Sequence, residues 1–400
     1  MHQLTPFLPS LENANTQALL KKADDLVIAC ASLSAGLHPH ILNEIKRITL
    51  LVNNYYSNLI ESEGTHPVDI YKAMQKDFAL QQPKNAKQYL ALAYSEAQHF
   101  VFNASVDFTE LQNLLTIHKV FYSSGYLLDQ QKIVNDSKGQ SHNIKPGSFR
   151  ETDVVVGHHL APSIEQLLNL FDAFHQHYRF AENDLLHNKM IKVFAAHHRF
   201  MYIHPFLDGN GRVGRLMTDG MLNQLFENTY GLWSLSRGLA RNSDRYKKWL
   251  ARADQTRQGA LDGRGKRTEK GLIEFISFML DTAKDQVDYT QSILNLSQLH
   301  QHLKHYIQLS QDQGLFGHIV PKEMIKLIPT LLIDGEIPKA NISEIMGCSE
   351  RKARTLVKQL VKIGLLYDDS KFAPLRLRFP ETSLPYIFPN IVPFMDGEAS

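Results

Sequence analysis

The chain has 400 residues, 43% of them hydrophobic and 21% charged, with a formal net charge of +2. Such a length and apolar share suit two or three globular domains whose cores need no covalent staples, and the small net charge leaves any nucleic-acid contact to be a local one. The two cysteines, Cys30 and Cys348, form neither a CxxC pair nor a disulfide framework, which fits a reducing compartment. The N-terminus lacks a basic stretch followed by an apolar run, and no segment approaches the roughly eighteen apolar residues of a membrane span. A cytoplasmic protein without membrane contact is the expectation.

Apolar residues recur every three or four positions from Thr16 to Ile60, predicting two helices, the second with Tyr56, Leu59 and Ile60 on one side. Pro67 closes this stretch, and VDIYKAMQKDFAL predicts a helix over 68–80 with Asp69 near its start. Two more helices are expected over 84–102 and 107–123, the latter capped by Thr109. Between Leu128 and Leu160 the glycines and Pro146 mark loops. There the run Val154-Val155-Val156 predicts a hairpin over Phe149 to His159, the one strand signal before the C-terminal region. Helices are expected again over 163–180, 183–202, 212–226, 242–254 and 268–303, with a hinge over 308–340 and a separate small domain after it. Trp233 and Trp249 read as core residues. The pairs His197-His198 and His158-His159 belong to a chain with 19 histidines and lack HxxxH spacing, which argues against a zinc site; the second pair is expected to be exposed.

The stretch HPFLDGNGRVGR, residues 204–215, carries chemistry. Pro205 ends the preceding helix near His204, and Gly209 and Gly211 let the backbone turn tightly beside a ligand. A helix follows at once, so its unpaired N–H groups and positive dipole end point into the turn, a ready anion site. Arg212 and Arg215, three apart, share a helix face. Asp208 offers hard oxygens suited to Mg²⁺, and His204 can accept a proton near neutral pH. Base, metal ligand, anion cradle and two guanidinium groups together point to attack of a hydroxyl on a nucleotide phosphate. No Gly-Lys-Ser/Thr follows, so this is not a Walker loop.

This stretch resembles the Fic-family signature His-x-Phe-x-Asp/Glu-Gly-Asn-Gly-Arg-x-x-Arg, with His204, Phe206, Asp208, Gly209, Asn210, Gly211, Arg212 and Arg215 at its fixed positions. The resemblance implies a mainly α fold: a helical catalytic core with a small β-hairpin flap that pins the target by adding a strand to it. It implies AMP transfer from ATP to a Ser, Thr or Tyr hydroxyl of a target protein, with release of pyrophosphate, and self-modification as an accessible activity. In those roles His204 is the base, Asp208 holds Mg²⁺ or Mn²⁺, and Gly209, Asn210 and Gly211 line the anion hole. Arg212 binds phosphate oxygens, Arg215 the γ-phosphate, and Phe206 anchors the loop. Tyr246 falls where the family places an adenine-side tyrosine, although Lys247 replaces the second tyrosine of that pair.

Family members also carry an inhibitory helix with Ser/Thr-x-x-x-Glu-Gly/Asn. Ser57 and Glu61 fit it; Ser62 stands where Gly or Asn is usual, and a register on Glu63-Gly64 fails at Leu59. The resemblance therefore implies that Glu61 pairs with Arg215 and inhibits. Ser62 is expected to let the helix run on to Gly64. Removal of AMP, with Glu61 orienting water, stays open beside transfer, as does transfer of another phosphate-linked group.

From Ile337 the pattern is helix, turn at Gly347, a second helix capped by Ser349, then strands over 365–379, which resembles a winged helix. Arg351, Lys352, Arg354 and Lys358 lie on its exposed face and are the candidates for DNA contact; docking to a protein or a homodimer partner is the alternative. The expected divisions are 1–109 for the region bearing the inhibitory helix, 110–285 for the catalytic core, 286–336 for a helical connector and 337–400 for the winged helix. A rival reading of the whole is a DNA-binding regulator that senses nucleotide without turnover.

Overall fold

The computed structural model describes residues 4–33, 36–64, 66, 67, 69, 70, 86–135, 140–157, 159–313 and 318–391. Most of the helix expected over 68–80, and His158, lie outside them. The fold is mainly α. Helices α1 (Ala14–Ser32), α2 (Pro39–Ile60), α3 (Ala86–Asn103) and α4 (Leu111–Tyr122) precede two small antiparallel hairpins, β1–β2 (Ile133–Asn135, Ser141–Asn143) and β3–β4 (Val155–Val156, His159–Leu160). Helices α5 (Leu167–Tyr178), α6 (Leu186–Ile203), α7 (Asn210–Leu225), α8 (Leu235–Arg241), α9 (Ser243–Ala253), α10 (Glu269–Ile293) and α11 (Leu296–Gln313) follow.

Helix α6 is central because its apolar residues occupy every side of it. Met190, Val193, Phe194, Ala195, Ala196, Phe200 and Ile203 are all fully buried and go round the helix, the signature of one enclosed by neighbours. It packs on α7, and α1 and α10 close over it. One apolar cluster runs from Leu4 through these helices to Ile391, so the expected boundary at 109 separates no independent cores.

The C-terminal unit comprises α12 (Met324–Ile333), β5 (Glu336–Ile337), α13 (Ile342–Met346), α14 (Glu350–Ile363), β6 (Leu366–Tyr367), β7 (Leu375–Leu377) and α15 (Leu384–Ile387). Its sheet has the order β5-β7-β6, with Ile337 opposite Leu375 and Leu366 opposite Leu377. Gly347 takes φ 66° at the turn, and the Ser349 hydroxyl caps α14. The unit rests on α2: Arg47 donates to the Phe379 carbonyl at 2.9 Å and pairs with Glu381 and Glu44.

Several expectations are corrected here. The hinge over 308–340 contains α12, whose Met324, Leu327, Ile328 and Leu331 are buried, and the division at 337 cuts strand β5. The helix expected over 268–303 is two, because Asn295 accepts from the N–H groups of Ser297 and Gln298 and caps α11. Thr109 does not cap α4; Glu110 stands there, and the Thr109 hydroxyl bridges Asp107 and His175 instead. Strands β1 and β2 are further elements before the C-terminal region; three residues each are too short to show an alternating pattern.

Candidate active site

The loop 204–209 joins α6 to α7. His204 ends α6 in the left-handed region (φ 50°, ψ 60°), its N–H on the Phe200 carbonyl at 3.0 Å. Phe206 is wholly buried and stacks on His118 at 4.0 Å between ring centroids. The Asn210 side chain clamps the loop from inside: Phe206 N–H donates to its Oδ1 at 2.9 Å, and its Nδ2 donates to the Phe206 carbonyl at 2.8 Å. Asn210 thus shapes the anion turn through its amide, and only its backbone is left to line it. Gly209 takes φ 80° immediately before α7, and a Cβ there would stand 2.8 Å from the Tyr122 ring. Glycine serves twice at this position, for the torsion and for the space.

His204 Nδ1 lies 3.3 Å from the Met201 carbonyl. A carbonyl only accepts, so Nδ1 carries the proton and Nε2 is the basic nitrogen. Burial lowers the imidazole pKa to about 4, against a raising contribution from the Met201 carbonyl; His159 and Arg150 push it down further. The ring is therefore neutral at physiological pH, as a base must be.

Arg150, absent from the sequence-level site, holds this histidine. Its side chain is fully buried; Nε donates to the His204 carbonyl at 2.9 Å, Nη1 to the Thr152 carbonyl at 3.0 Å, and Nη2 to the Pro162 carbonyl. One guanidinium thus ties the base of the β3–β4 hairpin to the loop. The hairpin stands where expected, with Val155, Val156 and Leu160 exposed. His159 is tied down on Tyr202 rather than free in solvent.

Asp208 is half exposed and accepts from the buried Tyr122 hydroxyl at 2.6 Å. A carboxylate held this way beside an anion turn fits a divalent cation, and a bound Mg²⁺ there would neutralise phosphate charge.

Helix α2 brings its C-terminal end against the two arginines. Arg215, 2% exposed, donates from Nε to Ser57 Oγ at 2.8 Å, and from Nη2 to the Ser57 carbonyl at 2.9 Å and to Glu61 Oε1 at 2.7 Å. Arg212 donates from Nε to Asn58 Oδ1 at 3.2 Å and pairs through Nη2 with Glu63. The Glu61 carboxylate presses on the start of α7: a Cβ on Gly211 would fall 2.2 Å from its Oε1. Burial works to raise the Glu61 pKa, yet Arg215 and then Arg212 outweigh it and hold the group below the ordinary carboxylate range.

Two expectations fail here. Ser62 does not prolong the helix: α2 stops at Ile60 and Ser62 itself takes φ 63°. Leu59 is 39% exposed, so only Tyr56 and Ile60 of the expected apolar side are buried, and they share the buried surface near the end of α2 with the polar Asn53, Asn54, Ser57 and Asn58. Tyr246 is also reassigned. It is 2% exposed with its hydroxyl 2.7 Å from His197 Nε2, a core support beneath Arg215 rather than a surface open to adenine. His197 Nδ1 meets Thr218 at 2.7 Å, so both ring nitrogens are occupied and no zinc site exists there. Asn58, Glu63, Tyr122 and Arg150 were missed. The Asn54/Asn58 spacing of four, which puts two amides on one face of α2, was a readable hint.

Residues 108–222, which hold this loop, the helices on either side of it and the β3–β4 hairpin, match the Fic/DOC family. A protein adenylyltransferase Fic from Nematostella vectensis is 25% identical over 219 residues, 54% of this chain and 46% of that protein. One of the same name from Culex quinquefasciatus is 32% identical over 116 residues, 29% of this chain and 20% of that protein. The chain thus spans less than half the length of these curated relatives. A Fic family protein from Desulfovibrio desulfuricans G20 superposes with a TM-score of 0.52 at 17% identity, covering 92% of this chain and 98% of that one. Fic-1 from C. elegans superposes with a TM-score of 0.50 at 16% identity, covering 70% and 73%.

Proposed function

We propose that this protein is an adenylyltransferase that moves AMP from ATP to a Ser, Thr or Tyr hydroxyl of a target protein, itself included, and that Glu61 restrains it. The carrying observation is a neutral His204 beside the glycine turn and helix start that Arg212 and Arg215 flank. The target hydroxyl attacks the α-phosphorus of ATP, its proton passes to His204 Nε2, and the bond from the α-phosphorus to the bridging oxygen breaks to release pyrophosphate. Asp208, oriented by Tyr122, would hold Mg²⁺ (or Mn²⁺), which would neutralise phosphate charge; the N–H groups at the start of α7 and Arg212 receive the phosphate oxygens, and Arg215 takes the γ-phosphate. The exposed β3–β4 edge receives the target backbone.

With Arg215 bound to Glu61, the γ-phosphate loses its clamp and meets a carboxylate instead. The test is AMP incorporation from α-labelled ATP with Mg²⁺. Glu61→Gly should label the protein more than the wild type does, and Glu61→Gly/His204→Ala should not label it at all. Equal labelling by wild type and Glu61→Gly would sink the restraint; label retained without His204 would sink the chemistry. Removal of AMP from a pre-labelled chain, dependent on Glu61, would reassign the reaction as hydrolysis. Two distant free cysteines, one of them buried, support a cytoplasmic setting.

A second reading concerns the C-terminal unit as a winged helix on DNA. Arg351, Arg354 and Lys358 share one face of α14, where Arg354 is 79% exposed, whereas Lys352 is held by Glu323 at 2.7 Å. Duplex binding that weakens steeply with salt and is lost in Arg351→Ala/Lys358→Ala would support it; a salt-independent dimer through the same face would replace it.

A further inference from the structure

The end of α2 and the turn after it bring two acids onto the active-site arginines, beside Asp208, which lies 3.9 Å from Arg212 within the loop itself. Arg215 belongs to Glu61, as the pattern on α2 implies. Arg212 is engaged separately, by Glu63 and by Asn58. We infer that Glu63 is a second inhibitory acid, which withholds Arg212 from the nucleotide as Glu61 withholds Arg215. The inference rests on the reading of residues 204–215 as the nucleotide site.

The backbone explains how two acids at such spacing reach one surface. On a continuing helix, residues two apart point about 200° away from each other, so Glu63 would face away from the loop. The helix does not continue. Ser62 N–H donates to the Leu59 carbonyl at 2.8 Å, and Glu63 N–H donates back to the Asn58 carbonyl at 2.9 Å. That pair of reversed bonds around a left-handed residue is a Schellman termination. It folds Glu63 back over the end of α2 and onto Arg212.

Asn58 ties the same guanidinium to the helix body. Its Oδ1 accepts from Arg212, while its Nδ2 donates to Asn54 Oδ1 at 2.8 Å; Asn54 in turn donates to the Ala91 carbonyl and Ser95 Oγ, each at 2.7 Å. Arg212 is therefore fixed on two sides, and its side chain is 6% exposed. The two carboxylates cancel both guanidinium charges beside the turn, so a triphosphate approaching it must displace each of them. Glu63 is 42% exposed and Glu61 36%, so water screens the second contact somewhat more. Glu63 should then be the weaker of the two restraints, and Glu61→Gly alone should leave the site partly closed.

The experiment uses the full chain and two readouts, Mg·ATP affinity by calorimetry and AMP incorporation. The variants are wild type, Glu63→Gln, Glu63→Lys, Glu61→Gly and Glu61→Gly/Glu63→Gln, with melting curves to establish that each is folded. Glu63→Gln should tighten ATP binding by about twofold to fivefold, as expected for one half-exposed charged contact. In the Glu61→Gly background it should tighten binding again by a similar factor, and Glu63→Lys should match or exceed Glu63→Gln. ATP affinity and labelling in the double variant equal to those of Glu61→Gly would overturn the second restraint and leave the transferase intact. Tighter ATP binding with no AMP incorporated by any variant would uphold it and overturn the transferase.

Discussion

Ser62 offers a test of the restraint that touches neither acid nor arginine. Its φ of 63° is a conformation that costs an L-residue about 1 kcal/mol and glycine nearly nothing. Ser62→Gly therefore stabilises the closed turn relative to any open form in which residue 62 leaves the left-handed region. If the full 1 kcal/mol acts on that equilibrium, the open population falls about fivefold. Ser62→Pro acts oppositely: a proline ring holds φ near −65°, and the N–H that now reaches the Leu59 carbonyl is gone. Self-labelling from α-labelled ATP should thus fall by about threefold to fivefold in Ser62→Gly and rise in Ser62→Pro, while in the Glu61→Gly background Ser62→Gly should lower labelling by a smaller factor, since the turn then holds only Glu63 on Arg212. Increased labelling in Ser62→Gly would refute the idea that this termination holds the acids in place.

Arg150→Met should leave Mg·ATP affinity within about twofold, yet lower the transfer rate of the Glu61→Gly form by about 10²-fold, because it frees the His204 carbonyl and the hairpin base together; an unchanged rate would show that the loop is held without it. Acid should destabilise the fold. Burial lowers the pKa of His118 and His204 to about 4 and that of His197, helped by Arg215, to about 3. The unfolded chain then binds more protons than the folded one below pH 6.5, so stability is full above that value and drops as pH falls toward 4, by roughly 2–3 kcal/mol for each histidine near pH 4.5. A melting temperature flat from pH 7 to 4.5 would contradict this. The Glu61 contact has the other signature: with its folded pKa depressed, it persists until pH falls below the ordinary carboxylate range, so the wild type should stay restrained at pH 5.5. Tyr122→Phe should raise the Mg²⁺ concentration needed for half-maximal ATP binding by several-fold, since it removes the donor that orients Asp208; an unchanged requirement would assign Tyr122 to packing alone.

The loop 204–215 was legible because its chemistry is contiguous: torsion, anion site, base and both arginines lie within twelve successive residues, where local rules suffice. Long helices were legible for the same reason, since apolar periodicity is written in neighbouring positions. Ser57 and Glu61 were readable as a pattern, and their contact with Arg215 closed across 158 and 154 residues as that pattern implied. The sequence by itself therefore determined the make-up of the 204–215 loop, the helical class and the Ser57/Glu61 pattern that meets Arg215. Tertiary structure decided the rest. Glu63 meets Arg212 across 149 residues and only because a single torsion at Ser62 reverses the chain; no propensity announces that torsion in a serine. Arg150 reads as one basic residue among many until packing buries it under the hairpin, and Tyr246 changes from a binding surface to a core residue once α9 closes on α6. Burial and chain reversal assign those side chains their partners, and both depend on residues far away in the sequence.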